Sequence, residues 1–368
     1  MNRDSNFPPG GKPGLFALVA VLAALWLFWP TDPLPESVPY SAPKWLPSGH
    51  LQTIYAAKLM PLPAVAYRRE RWDTPDGDFI DLDWLEVPSL VTRHSSLVVL
   101  FHGLEGSSRS HYALALMTAL RDRGMRGVVV HFRGCSGELN RLPRAYHSGD
   151  APEISWILRR LRAQNPDAPL FAIGVSLGGN ALLKWLGDSG DAAAQVIDAA
   201  AAVSAPLDVM AMGDALGQGF NVVYSRNFLQ TLKAKSLAKL ERFPGLFDGD
   251  AVRAARTLRE FDDLVTAPLH GFKNTDDYWT HASSKPGLKN IRVPTLVINA
   301  KNDPFLPVAA LPRPAEVSGA VTLEQPEEGG HVGFVGGNFP GDYGWLPLRV
   351  LAFFNARIAP VRAVAPTM

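Results

Sequence analysis

The stretch from Pro169 to Leu186 constrains this chain more than any other. A continuous apolar run, residues 169–174, meets Gly174-Val175-Ser176-Leu177-Gly178, and a helix-forming segment, residues 178–186, follows at once. A strand, a sharp turn and a helix in immediate succession leave the serine on strained backbone. Neighbouring chain must then pass so close to positions 174 and 178 that only glycine fits there. The hydroxyl projects over the N-terminus of the following helix, whose dipole favours developing negative charge. G-x-S-x-G is a weak signal by itself; in this context it makes Ser176 a candidate nucleophile.

The surrounding chain supplies a scaffold for such a turn. Residues 64–73 and 79–86 read as a hairpin around Pro75-Asp76-Gly77. Short buried-type runs at 97–101, 127–132, 169–174, 196–203 and 294–299 alternate with helical patterns at 111–123, 151–164, 178–186 and 346–357. Buried strands alternating with helices predict a mostly parallel, twisted sheet of about eight strands with helices on both faces. Residues 206–289 break the rhythm: they hold helical patterns at 229–242 and 250–261 and no clear strand. They read as a helical insertion over one end of the sheet, before the next strand.

A serine hydroxyl attacks carbonyls only when a base takes its proton. On this kind of scaffold the partners follow in the order acid, then histidine. Asp303 stands in a loop just past the strand 294–299, and His331 lies beside Gly329-Gly330, 28 residues further on. The acid would hold the imidazole in the right tautomer and stabilise its protonated form. The oxyanion needs backbone donors already in place. Those expected are the N–H of Leu177, next to the serine, and the N–H of Leu104, in the loop after strand 97–101.

With those residues assigned, longer motifs carry a resemblance. Trp45-Leu46-Pro47-Ser48-Gly49-His50-Leu51-Gln52-Thr53-Ile54, His102-Gly103-Leu104-Glu105-Gly106-Ser107-Ser108 and Arg133-Gly134-Cys135-Ser136-Gly137 are three of them. Tyr146 to Gly149, Gly174 to Lys184, Phe261-Asp262-Asp263, Pro268 to Phe272 and Asp303-Pro304-Phe305 complete the set. The chain resembles the YheT-like branch of the α/β-hydrolase superfamily, which also includes membrane-anchored animal lipases, over nearly everything from residue 42 onward. The resemblance implies an α/β-hydrolase fold, a triad of Ser176, Asp303 and His331, and hydrolysis of carboxylic esters; the substrates expected are short- to medium-chain acyl or lipid esters. The chain departs from the family pattern at His131, Ala151 and Glu153, none of them in the triad.

Composition excludes other classes. With 47% apolar residues and a net charge of +1, the chain builds a core and carries no footprint for nucleic acid. One cysteine, Cys135, allows no intrachain disulfide and leaves the redox compartment open; lacking the elbow, it reads as a turn thiol. No histidine or cysteine spacing predicts a metal, and no glycine-rich loop has a cofactor-binding context, so no cofactor is expected. Residues 1–41 form a leader whose apolar segment, residues 15–29, is uncharged and followed by a Pro-rich linker. As a helix it spans about 22 Å, short of the ~30 Å hydrocarbon core. A membrane anchor, a signal-peptide core and a dispensable leader all remain open readings; without an anchor the chain would be cytoplasmic. His147, with Tyr146 and Ser148, reads as a loop brace or as lining the cleft, and His50, Gln52 and Thr53 read as holding the N-terminal arm. Phe220, Tyr224, Phe228, Leu229, Val332 and Phe334 are candidates to wall an acyl pocket, against ordinary core packing. Acyl transfer, amide hydrolysis and a non-catalytic binding role are the competing functions on this scaffold.

Overall fold

The computed structural model describes residues 39–87 and 95–358. The apolar segment 15–29 lies outside the described residues. Among those described, no helix is long and apolar enough to cross a membrane.

Eight strands form one sheet in the order β1-β2-β4-β3-β5-β6-β7-β8. Strands β1 (Tyr67–Asp73) and β2 (Phe79–Leu85) make the antiparallel hairpin, closed by the turn at Gly77, and β2 continues antiparallel onto β4 (Arg126–His131). From β4 the sheet is parallel: β3 (Leu97–Phe101), β5 (Leu170–Val175), β6 (Ala199–Val203), β7 (Thr295–Ile298) and β8 (Val321–Glu324). Every side chain of β3, β5 and β6 is buried, so these runs lack the alternation of a sheet with one wet face. Burial of each large member, such as Phe101 or Phe171, contributes about 1.5–3 kcal/mol.

Helices α1 (Gly49–Lys58), α2 (His111–Arg121), α3 (Ala151–Gln164), α4 (Leu177–Ser189) and, near the C-terminus, α10 (Trp345–Asn355) cover the sheet or its ends. Strand β3 connects through α2 to β4 on one side, and β4 connects through α3 back across β3 to β5 on the other. That reversal opens a crevice beyond the carboxyl ends of β3 and β5, where open α/β sheets bind ligands. The register pairs Phe101 with Gly174 and Val175 with Val203. Residues just past these strand ends therefore meet at one edge.

Between β6 and β7 lie α5 (Val209–Leu216), α6 (Val222–Arg242), α7 (Gly249–Ala254), α8 (Leu258–Phe261) and α9 (Thr275–Ala282). Two expectations from periodicity need correction here. Helix α6 begins seven residues before position 229, and the single helix expected over 250–261 is two. The break comes from Thr257, whose hydroxyl accepts the Glu260 N–H while the Glu260 carboxylate accepts the Thr257 N–H, which starts a new helix. Strand β8 was not among the expected runs: only Val321 of Val-Thr-Leu-Glu is buried, as suits a sheet edge.

Candidate active site

Ser176 sits between β5 and α4 with φ 52° and ψ −123°, a conformation costly for any residue with a Cβ. Its N–H donates to Val203 O (2.8 Å), tying the turn to the neighbouring strand. A Cβ at Gly174 would lie 2.5 Å from the Gly178 carbonyl oxygen, and one at Gly178 would lie 2.5 Å from that of His102. The two glycines are thus set by backbone crowding on either side of the serine.

The Ser176 Oγ is 2.9 Å from His331 Nε2, and His331 Nδ1 is 2.9 Å from Asp303 Oδ2. The structure brings together the three residues expected from chain order, although 28 to 155 positions separate the bonded pairs. The Asp303 side chain is fully buried, and its second oxygen accepts the Phe305 N–H (2.8 Å), so the carboxylate has a fixed orientation. A carboxylate at Nδ1 makes that nitrogen the donor, leaving Nε2 free to accept from the serine hydroxyl. The Phe305 ring stacks on the imidazole, centroids 3.9 Å apart.

The histidine loop is pinned from several sides. Thr53 Oγ1 accepts the His331 N–H (2.8 Å), and Ser204 Oγ accepts the N–H of Val332, which stands at φ 57°. His111 Nε2 meets Val332 O at 2.9 Å; burial pushes the His111 imidazole down to about 4, so it stays neutral there. Gln52, fully buried, joins both loops: its Oε1 accepts from Gly329 N–H (2.9 Å) and Asn302 Nδ2 (3.0 Å), while Nε2 donates to Leu46 O (2.8 Å). Gln52 and Thr53 therefore brace the His331 and Asp303 loops, a more specific task than holding the N-terminal arm. Their only signal in the sequence was a polar pair inside a motif of otherwise ordinary helix.

In the loop after β3, His102 is buried and held neutral; desolvation pushes it down to about 3. Its Nδ1–H donates to Gly103 O (2.7 Å) and its Nε2 accepts the Phe132 N–H (3.1 Å). The Gly103 N–H goes to Tyr112 Oη, that of Glu105 to Tyr146 Oη, and that of Gly106 to Gly103 O. This leaves the Leu104 N–H as the loop's available donor beside the cleft. Glu105, at φ 55°, accepts a bond from Tyr146 Oη (2.9 Å) and pairs with Lys235 of α6 (2.9 Å). Cys135 lies 3.6 Å from that lysine; burial pushes its thiol up to about 11, which suits a structural thiol.

Ser176 and His331 open on a cleft beyond the sheet's carboxyl edge. Its walls are mainly apolar and come from α5 (Val209, Met212, Leu216), α6 (Phe228, Leu232) and α8 (Leu258, Phe261). Of the six acyl-wall candidates only Phe228 lines it. Tyr224 hydrogen-bonds His50 and packs on Phe305, Leu229 and Val332 are buried, Phe334 packs on Tyr40 and Trp345, and Phe220 stands exposed. His147 both lines the cleft and braces its loop, with Nδ1 accepting the Gly149 N–H. Of the departures, His131 bonds Asp83 (2.9 Å) and Glu153 bonds Arg133 (2.7 Å), away from the triad.

The family model described as alpha/beta hydrolase fold matches residues 96–337, which gives the class of this sheet and cleft. A solved esterase from Pyrococcus furiosus aligns with TM-score 0.51 at 15% identity over 88% of this chain and 97% of its own, a likeness of fold alone. Closer kinship comes from sequence. The provisionally named esterase YheT of Escherichia coli is 44% identical over 76% of this chain and 82% of its own length. Human phospholipase ABHD3 is 32% identical over 80% of this chain and 73% of its own. The chain belongs to the α/β-hydrolase family, in its YheT-like branch.

Proposed function

We propose that the chain hydrolyses carboxylic esters through an acyl-enzyme formed on Ser176. The observation that carries this reading is the bonded series Ser176 Oγ, His331 and Asp303, 2.9 Å at each link, at the mouth of an apolar cleft. The names of the E. coli and human relatives, an esterase and a phospholipase, point to the same chemistry.

Ser176 Oγ attacks the ester carbonyl carbon as His331 Nε2 takes its proton. The oxyanion accepts bonds from the N–H groups of Leu177 and Leu104 and lies near the N-terminus of α4. The tetrahedral adduct collapses, the C–O bond to the alcohol breaks, and His331 returns the proton to that alcohol. Water then gives a proton to His331 and attacks the acyl carbon; the second collapse releases the acid and reprotonates Ser176. Asp303 stays ionised and stabilises the imidazolium. An acyl chain is the part of the substrate that suits walls such as Met212, Phe228 and Leu258, with residues 206–289 acting as the cap that supplies them.

A fluorophosphonate probe tests the reading. Wild type should label and Ser176→Ala should not, and a series of p-nitrophenyl esters should show turnover that varies with acyl length. A folded wild type that neither labels nor turns over any of the esters would overturn it.

A further inference from the structure

Eight large apolar side chains stand exposed among the described residues, and six of them gather around α1. Leu51 (48% exposed) and Leu59 (67%) lie on one flank of the helix, with Tyr55 between them at the same spacing, and Leu62 (51%) follows. Beside Tyr55 stands Trp45, ring centroids 4.9 Å apart, and Phe339 (74%) packs on Trp45 at 5.5 Å. On the other flank Phe220 (53%) touches His50, centroids 4.8 Å apart, with Val223 (51%) three residues on. Soluble proteins seldom leave so many large apolar groups together without a use.

The patch leads to the reaction centre. Phe220 touches His50, His50 stacks on Tyr224 and bonds its hydroxyl (3.1 Å), Tyr224 packs on Phe305 (4.9 Å), and Phe305 covers His331. A series of packed rings thus runs from the exposed face to the imidazole. The charge of that face leans positive. No Asp or Glu occurs from Ser37 to Arg69 or from Ala215 to Leu240, the two segments that carry most of the patch. Lys44, Lys58 and Arg226 stand exposed there. The Phe339 strip holds Asp342, which is turned onto the Gly344 N–H (2.7 Å).

We infer that this face is a docking surface for an anionic lipid bilayer, and that docking there delivers membrane esters to the enzyme. Apolar side chains at the centre and the exposed Lys44, Lys58 and Arg226, which outnumber Asp342 there, match the acyl boundary and the charged headgroups respectively. The second half of the inference rests on the ester-hydrolase reading above; the docking itself does not.

The experiment uses the full chain. A nitrobenzoxadiazole label at Leu59→Cys reports insertion without any need for activity. Its emission should shift to the blue on mixing with phosphatidylcholine vesicles containing phosphatidylglycerol, and less so without phosphatidylglycerol or in high salt. In the second arm, a triple variant Leu51→Ser, Leu59→Ser, Leu62→Ser should hydrolyse a soluble short-chain ester within twofold of wild type. On an ester embedded in the same vesicles it should be at least tenfold slower. An unshifted label overturns the docking surface whatever the enzyme does. A shifted label in a chain that hydrolyses neither ester supports the surface and sinks the catalytic reading instead. A wild type of two-chain mass that the triple variant converts to single chains would assign the face to a second copy and overturn the proposal.

Discussion

Replacing Gln52 by leucine should slow turnover without weakening substrate binding, because this amide holds the loops of Asp303 and His331 in register. The change keeps side-chain bulk but removes one donor and two accepted bonds. Asn302 is partly exposed, so water can satisfy its amide; the Gly329 N–H and Leu46 C=O are buried and cannot be so relieved. An unsatisfied buried backbone group costs about 1–3 kcal/mol, so two of them cost about 2–6 kcal/mol, part of which the apolar leucine offsets. A midpoint of unfolding lowered by roughly 5–10 °C is expected for a domain of this size. If the His331 loop then shifts by up to an ångström, a fall of about 10- to 100-fold in kcat follows. KM should stay within twofold, because Gln52 does not line the cleft. Steady-state kinetics on a p-nitrophenyl ester, run beside thermal unfolding, reads both. A lowered midpoint with unchanged kcat would refute the positioning argument, and no change in either would refute the account of the unpaired groups.

Other substitutions probe the same machinery from different sides. Gly178→Ala drives a methyl group against the His102 carbonyl at 2.5 Å; chemical denaturation should show a loss of about 1–3 kcal/mol, with labelling of Ser176 reduced, and a neutral outcome would mean the elbow is not closely packed. Lys235→Met leaves the mostly buried Glu105 carboxylate without its cation beside the Leu104 N–H; kcat should fall severalfold at constant KM and recover in Lys235→Arg, whereas equal loss in both variants would show that packing matters and not charge. Asp262 lines the cleft, and burial pushes its carboxyl up to about 6 although Thr266 and Trp279 donate to it. The folded state therefore holds this proton more tightly than the unfolded chain, so the carboxyl's contribution is full below pH ~4 and is lost as pH rises through ~6, by about 3 kcal/mol. Asp262→Asn should gain on wild type by that order between pH 4 and pH 7.5 in urea unfolding, and a difference independent of pH would contradict it.

The family was legible in the chain because its diagnostic part is local. Strand, G-x-S-x-G turn and helix are contiguous, and the crowding that demands Gly174 and Gly178 arises wherever that turn is made. Asp303 and His331 were legible for a related reason: each lies just past a strand or beside glycines, in the order that the sheet's connections impose. The full burial of β3, β5 and β6 was visible as unbroken apolar runs, whereas β8, at the edge and largely polar, looks like loop until β7 is beside it.

What only the tertiary structure decided are contacts between residues far apart in the chain. Gln52 and Thr53 meet the histidine loop across more than 270 positions, and nothing in a short helical motif names the partner of a buried amide. The walls of the cleft were equally hidden. In α6, Phe228 and Leu232 face the cavity while Tyr224 and Leu229 do not, although all four look alike by composition. Helical periodicity says which residues share a face; the elements packed against the helix decide whether that face meets core, substrate or solvent. The sequence by itself therefore determined the fold and the candidate triad, whose constraints lie along the backbone. The supports of the site and the shape of its cleft were left to packing between distant segments, which no single segment encodes.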